Sequence, residues 1–313
     1  MKKNRINLFV VLTVIVVLLV GIVFGGYMII DRILVPKYFS AFGINNLSEL
    51  IEIVDAIYTI PNEEDFIDEP FTDSDSKSAT KILVNAGFPT LSTGEIDYER
   101  IGNYDYTLTP PQPVVDNFIV LTNKEVAAIM DEILESGILV SNFPELSYID
   151  TLEMEVKQLI ISPLGENEKL SPTDAKLIMT IKLDTLSARK QISENLEVPQ
   201  FLIDFIIPDT IYMTASFDTF INDNGIRSFD NGTLAINSKT AKQSEVIMNL
   251  LLSFIYSSDE MMSIEDLTHQ IGMLVTEGLD VLGTFEFVEI NEKNNHNNGV
   301  KIYLNYAESV EQN

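Results

Sequence analysis

FIVLTNKEVAAIMDEILESG, residues 118–137, changes its hydrophobic period within a single step. Phe118 to Leu121 is a short continuous apolar run of strand type, whereas Val126, Ile129, Met130, Ile133 and Leu134 recur at the three- and four-residue spacing of a helix face. Thr122 and Glu125 at the junction form a capping box, in which the hydroxyl satisfies an early backbone N–H and the carboxylate reaches back. Gly137 supplies the left-handed stop. A strand that feeds a capped helix is therefore expected here.

Downstream, two segments alternate apolar and polar residues: Leu152, Met154 and Val156 with Leu159 and Ile161, then Ala175, Leu177, Met179, Ile181 and Leu183. A loop with Pro163, Gly165 and Pro172 separates them. Ser187 to Leu196 reads as helical and leads through Pro199 to a third alternating strand with Ile211, Met213, Ala215, Phe217 and Thr219. Turns are expected at Asn224-Gly225 and Asn231-Gly232, then a strand over Thr233 to Asn237, a helix from Ser238 to Tyr256, and a second helix capped by Ser263 and Asp266 and running to Leu282. The chain closes with a hairpin: Phe285 to Ile290, an Asn-rich tip holding His296, and Val300 to Tyr306. Alternation means one buried and one wet sheet face, which suits antiparallel strands, and with the helices it makes an α+β body. The order helix, strand, strand at 122–186 recurs at 263–306, a pattern consistent with internal duplication.

Upstream, regularity fades. Leu50, Ile51, Val54, Ile57 and Tyr58 mark a short amphipathic helix that Pro61 closes. Its polar face carries Glu49, Glu52 and Asp55 instead of Lys or Arg, so it is expected to pack on its own body and not on a bilayer. Residues 62–113 read as irregular, with a short helix from Ser78 to Ala86 ended by Gly87. Within them Glu63 to Asp75 holds seven acids and no base. Asp73-x-Asp75 begins like a calcium loop but lacks the glycine at the sixth place and the acid at the twelfth, so the run reads as a solvated loop or linker.

Furthest upstream, LFVVLTVIVVLLVGIVFGGYMII, Leu8 to Ile30, contains no charged residue. As a helix it covers about 34 Å, enough for a hydrocarbon core of about 30 Å, and Tyr27 suits an interface. It is longer than the apolar region of a signal peptide and lacks a small-residue cleavage site, so it reads as a retained anchor. Lys2, Lys3 and Arg5 with the free amino terminus outweigh Arg32 and Lys37, which puts the leading tail in the cytoplasm and the rest outside. Gly21 and Gly25 form a GxxxG through which two spans could pair as a homodimer, although glycine is common in such helices. The expected organisation is a cytoplasmic tail at 1–7, a transmembrane helix at 8–30, a juxtamembrane helix and acidic irregular region at 31–113, and a main α+β domain at 114–313.

Composition narrows the chemistry. The 313 residues include 20 basic and 47 acidic side chains, a net charge of −27, which argues against a phosphate-neutralising nucleic-acid surface. Residues 1–37 hold five of the bases and one of the acids, so the body beyond the anchor carries 15 against 46, a net −31. With no cysteine, disulfides, thiolate nucleophiles and Cys-ligated metals are excluded, and the two histidines, His269 and His296, leave little for His-based metal or triad chemistry. Both histidines are expected to be packed or solvated. Ser74-x-x-Lys77 and Ser187-x-x-Lys190 match serine–lysine spacing, and Lys239-Thr240-Ala241 distantly resembles a K-T-G element. Chance supplies about one such Ser–Lys match in a chain this long, and no S-D-N partner accompanies either. The expectation is a non-enzyme, with no catalytic, cofactor-binding or metal-ligating residue assigned.

The single span, the segment FIVLTNKEVAAIMDEIL at 118–134 and IIPDTIYMTASFDTFI at 206–221 together resemble the YpmS-like envelope proteins of Gram-positive bacteria and, more loosely, the tubular lipid-binding (TULIP) fold. The resemblance covers about residues 116–306, is one of layout without a catalytic motif, and residues 38–113 are longer and more acidic than it implies. It implies a long sheet curled round a helix with an apolar groove for acyl chains. Met154, Met179, Met213, Phe217, Met248, Phe254 and Met273 are the adaptable apolar residues such a groove would use, though each type is also ordinary core. The expected function is a membrane-anchored extracytoplasmic binding or scaffold protein of the plasma membrane that holds membrane lipid. The alternative is a non-catalytic extracellular sensor or a domain for a protein or cell-wall partner.

Overall fold

The computed structural model describes residues 26, 28–40, 43–58, 70–101, 108, 117–137, 153–165, 168–195, 199–237, 246, 263–292 and 295–304. The expected span Leu8–Ile30 lies outside them except for Gly26 and Met28–Ile30, and among the described residues no helix is long and apolar enough to cross a membrane. The expected helix Ser238–Tyr256 also lies outside them, save Val246.

The chain is α+β, with two antiparallel sheets. β1 (Phe118–Thr122) runs into α5 (Asn123–Glu135), and Thr122 accepts from the Glu125 N–H while the Glu125 carboxylate accepts from the Thr122 N–H at 2.9 Å. Gly137 has the left-handed φ of 69°. β2 (Glu153–Ser162), β3 (Ala175–Asp184), β4 (Thr210–Ile221) and β5 (Arg227–Ile236) form a four-stranded meander in that order. β6 (Phe285–Glu292) and β7 (Asn295–Tyr303) make the closing hairpin, and β7 pairs on its other edge with β1. The three-element order of helix, strand and strand thus recurs, but its two hairpins join different sheets.

Period-2 patterning places the core. Ala175, Leu177, Met179, Ile181 and Leu183 of β3 are all buried, alongside Leu159 and Ile161 of β2 and Ile211, Met213, Ala215 and Phe217 of β4. α5 packs on β2, and α8 (Ile264–Asp280), capped by Ser263 and Asp266, packs on β5 and β4. The other sheet face is less wet than alternation implies. Gln158 donates to Thr180 at 3.0 Å, and Thr180 shares a 3.0 Å bond with Thr214, so a polar row crosses three strands with Gln158 and Thr180 both buried.

The structure corrects several expectations. Asp73 and Asp75 belong to helix α3 (Asp73–Asn85), where the Asp75 carboxylate caps the Thr72 N–H at 2.8 Å; acids placed in a first turn satisfy orphan N–H groups and oppose the helix dipole, so this part of the acidic run is not a loop. α3 packs on α5, and the short α4 (Tyr98–Ile101) follows an isolated bridge between Thr90 and Ile96. Phe88, Ile96, Tyr98 and Ile101 are buried in the same core as the sheets, so these residues of the region read as irregular are packed structure. Asn231-Gly232 is no turn: it is a bulge within β5, where Thr233 pairs with Ser216 and Asp230 with Asp218, with Asn231 at φ 52°. α6 (Leu186–Asn195) is as expected, whereas α7 (Gln200–Ile206) is additional. The hairpin pairs as far as Glu292 and Asn295, so His296 is a strand residue opposite Asn291 and not a tip residue.

The N-terminal region enters the body without a break in helix. A π-helical turn, Ile30–Leu34, leads into α1 (Val35–Phe39), and Val35 and Phe39 are buried in the core. Asp31 accepts from the Leu47 N–H at 2.8 Å and so caps α2 (Leu47–Tyr58). Leu50 and Ile53 of α2 face the core while Ser48, Ile51, Glu52 and Asp55 are exposed, in line with packing on the body.

Candidate binding cleft

The β5 bulge and the first turns of α8 enclose a cleft of about 280 Å³ lined by Phe217, Phe229, Asp230, Asn231, Gly232, Glu265, Thr268 and His269. Its shape follows from two glycines. A Cβ on Gly232 would overlap the Thr268 side chain, and one on Gly272 would come within 2.6 Å of the Phe229 ring, so both are needed for α8 to lie this close to β5. Asn231 takes the positive φ that the bulge demands, and its amide donates to Asp218 at 2.7 Å while its backbone N–H donates to Asp230 at 2.8 Å.

Three rings form the aromatic wall. Phe229 meets Phe217 edge to face at 5.7 Å and His269 at 5.1 Å. Phe217 is buried, whereas His269, Asp230 and Glu265 are exposed at the rim. At the adjacent cap, the Ser263 hydroxyl and backbone N–H hold Asp266 below the usual carboxylate range, with His269 pulling the same way. The lining carries no Lys or Arg, so it offers carboxylates, one amide, one hydroxyl and ring edges to a small polar ligand. Among the described residues no group of three or more His, Asp or Glu is placed to hold a metal ion.

A second polar region lies along α5. Burial raises Asp131 to about 6 against the opposing hydrogen bond from the Val156 N–H at 2.6 Å, and Glu135 and Glu155 push the same way as burial. Burial also raises Glu132, which accepts from the Tyr98 hydroxyl at 2.8 Å, and Tyr98 is pushed well above its ordinary value by burial and then by Glu132. Ser78 donates to Glu125 at 2.6 Å. Asp131 and Glu132 are neighbours on a helix, about 100° apart, and are bonded to different elements, so they are not a convergent pair.

Ser74 and Lys77 are exposed on α3, Lys190 is exposed on α6, and Lys239-Thr240-Ala241 lies outside the described residues. Of the residues expected to line an apolar groove, Met179, Met213 and Phe217 are buried in the common core, Met154 and Met273 are half-buried, and Met248 and Phe254 lie outside the described residues. The cleft was missed because Asp230, Asn231 and Gly232 read as a turn, and Glu265 and His269 follow more than thirty residues later.

No family model, curated protein or solved structure matches the chain. The chemistry of the cleft therefore stands on its own residues.

Proposed function

We propose that the chain is a single-span, non-catalytic binding or scaffold protein whose body stands outside a bacterial plasma membrane. The observation that supports this reading is the helical run from Met28 to Phe39, which begins in the last residues of the apolar Leu8–Ile30 stretch and seats Val35 and Phe39 in the core of the body. The charge distribution supports it, since the short leading tail is basic and the body is strongly acidic. Recognition is assigned to the cleft between β5 and α8. Its exposed carboxylates and imidazole suit a polar group of a partner or envelope component, which favours the interaction reading over an acyl-chain groove.

Protease added to intact cells tests this. Digestion of the body with survival of a membrane-protected N-terminal fragment is expected, and the purified full chain is expected to release no stoichiometric lipid into organic solvent. A body resistant to protease, or a mature chain beginning after Gly26, contradicts the anchor; one acyl lipid per chain returns the groove to first place.

A further inference from the structure

We propose that α6 and α7 form a membrane-contact face, on which the body rests against the bilayer that its anchor enters. This rests on the anchor reading above. α7 is apolar on both sides: Ile203 and the following Ile207 are fully buried, while Phe201 and Phe205, one turn apart, are 65% and 51% exposed. α6 packs beside it and exposes Leu186 and, one turn on, Lys190. The two phenyls, at i and i+4, adjoin on one helix face and so expose contiguous apolar surface.

The occupant is argued from where the apolar stretch ends. Asp31, the first residue after it, holds the start of α2 through the Leu47 N–H. At the other end of α2 the Tyr58 hydroxyl donates to the Asp204 carbonyl on α7 at 2.9 Å. One helix of about 18 Å, hydrogen-bonded at both ends, thus separates Asp31 from the Phe201–Phe205 turn. A face held so near the bilayer contacts it at very high effective concentration and needs little intrinsic affinity. Arg189, buried in α6, pairs with Asp209 and lies 3.8 Å from Asp204, the acid on the outer side of α7, while Lys190 and Glu194 are both exposed on α6, so the face is near neutral and its contact with a bilayer is argued from the phenyls.

The chain contains no tryptophan, so a single introduced one reports its own surroundings. Phe201→Trp, Phe205→Trp, Met28→Trp and Ile226→Trp would each be made in the full chain and reconstituted in phosphatidylcholine–phosphatidylglycerol vesicles containing brominated acyl chains. Met28 lies within the anchor stretch, and Ile226 is 61% exposed beyond the far end of β4, about 35 Å along the strand from α7. Bromine quenching at 201 and 205 at least half that at 28, with none at 226, is expected. Quenching at 28 with 201 and 205 behaving like 226 overturns the contact face while leaving the anchor intact. A blue shift at 201 or 205 without quenching places protein there, such as a second copy, and also overturns it. Absence of quenching at 28 overturns the anchor itself, and this face with it.

Discussion

At the scale of single residues, Asp131 carries the clearest electrostatic signature in the body. Its carboxyl sits at about 6 because burial on α5 removes water faster than the Val156 N–H replaces it. A carboxyl raised on folding binds more protons in the folded chain than in the unfolded one. Its contribution is therefore fully present below the ordinary aspartate value and is lost as pH rises through about 6. Urea unfolding of the wild type should show this contribution falling as pH rises from about 4 to about 6, and Asp131→Asn, which keeps an acceptor for Val156, should flatten that slope. An unchanged slope would show that the other acids set it. None of this was legible in the sequence, because Asp131 is one acid among 47 and only the approach of β2 distinguishes it. The same holds for Glu132, whose partner Tyr98 comes from a region that reads as irregular, whereas Glu125 was legible as a helix cap and only its bond from Ser78 was not.

At the scale of elements, what the sequence exposes depends on whether the determinant is local. β1, α5, β2, β3, β4 and α8 were legible because their periods and capping residues lie within the elements themselves. Thr122→Ala should accordingly cost about 1 kcal/mol, read as a lower urea midpoint with unchanged slope, since it removes an acceptor from the first turn of α5. A cost near zero would mean that packing alone sets that helix start. α7 was not legible: Gln200 to Ile206 has apolar residues on every side, a pattern that fits neither template and that makes sense once Ile203 faces the core and Phe201 and Phe205 face outward. The bulge in β5 was misread because Asn-Gly is the usual turn signal, and only pairing with β4 reveals that the strand continues through it. α3 was read as starting at Ser78 because five residues of its first turns are Ser and Asp, which cap and solvate equally well in isolation.

At the scale of the whole molecule, one hydrophobic core unites the helical entry at Val35 and Phe39, the acidic α3 region and both sheets. That core begins at Val35, five residues beyond the end of the apolar Leu8–Ile30 stretch, and under the proposed function that stretch lies in a membrane plane. The central claim is that this plane is a membrane with the acidic body on its outer side. The chain has no cysteine, so single substitutions give an unambiguous topology readout. Asp223→Cys, in the exposed β4–β5 turn, and Lys3→Cys, in the leading tail, would be treated in intact cells with a membrane-impermeant maleimide. Immediate labelling is expected at position 223, and labelling at position 3 only after permeabilisation. Protection of position 223, or labelling of position 3 in intact cells, would contradict that claim.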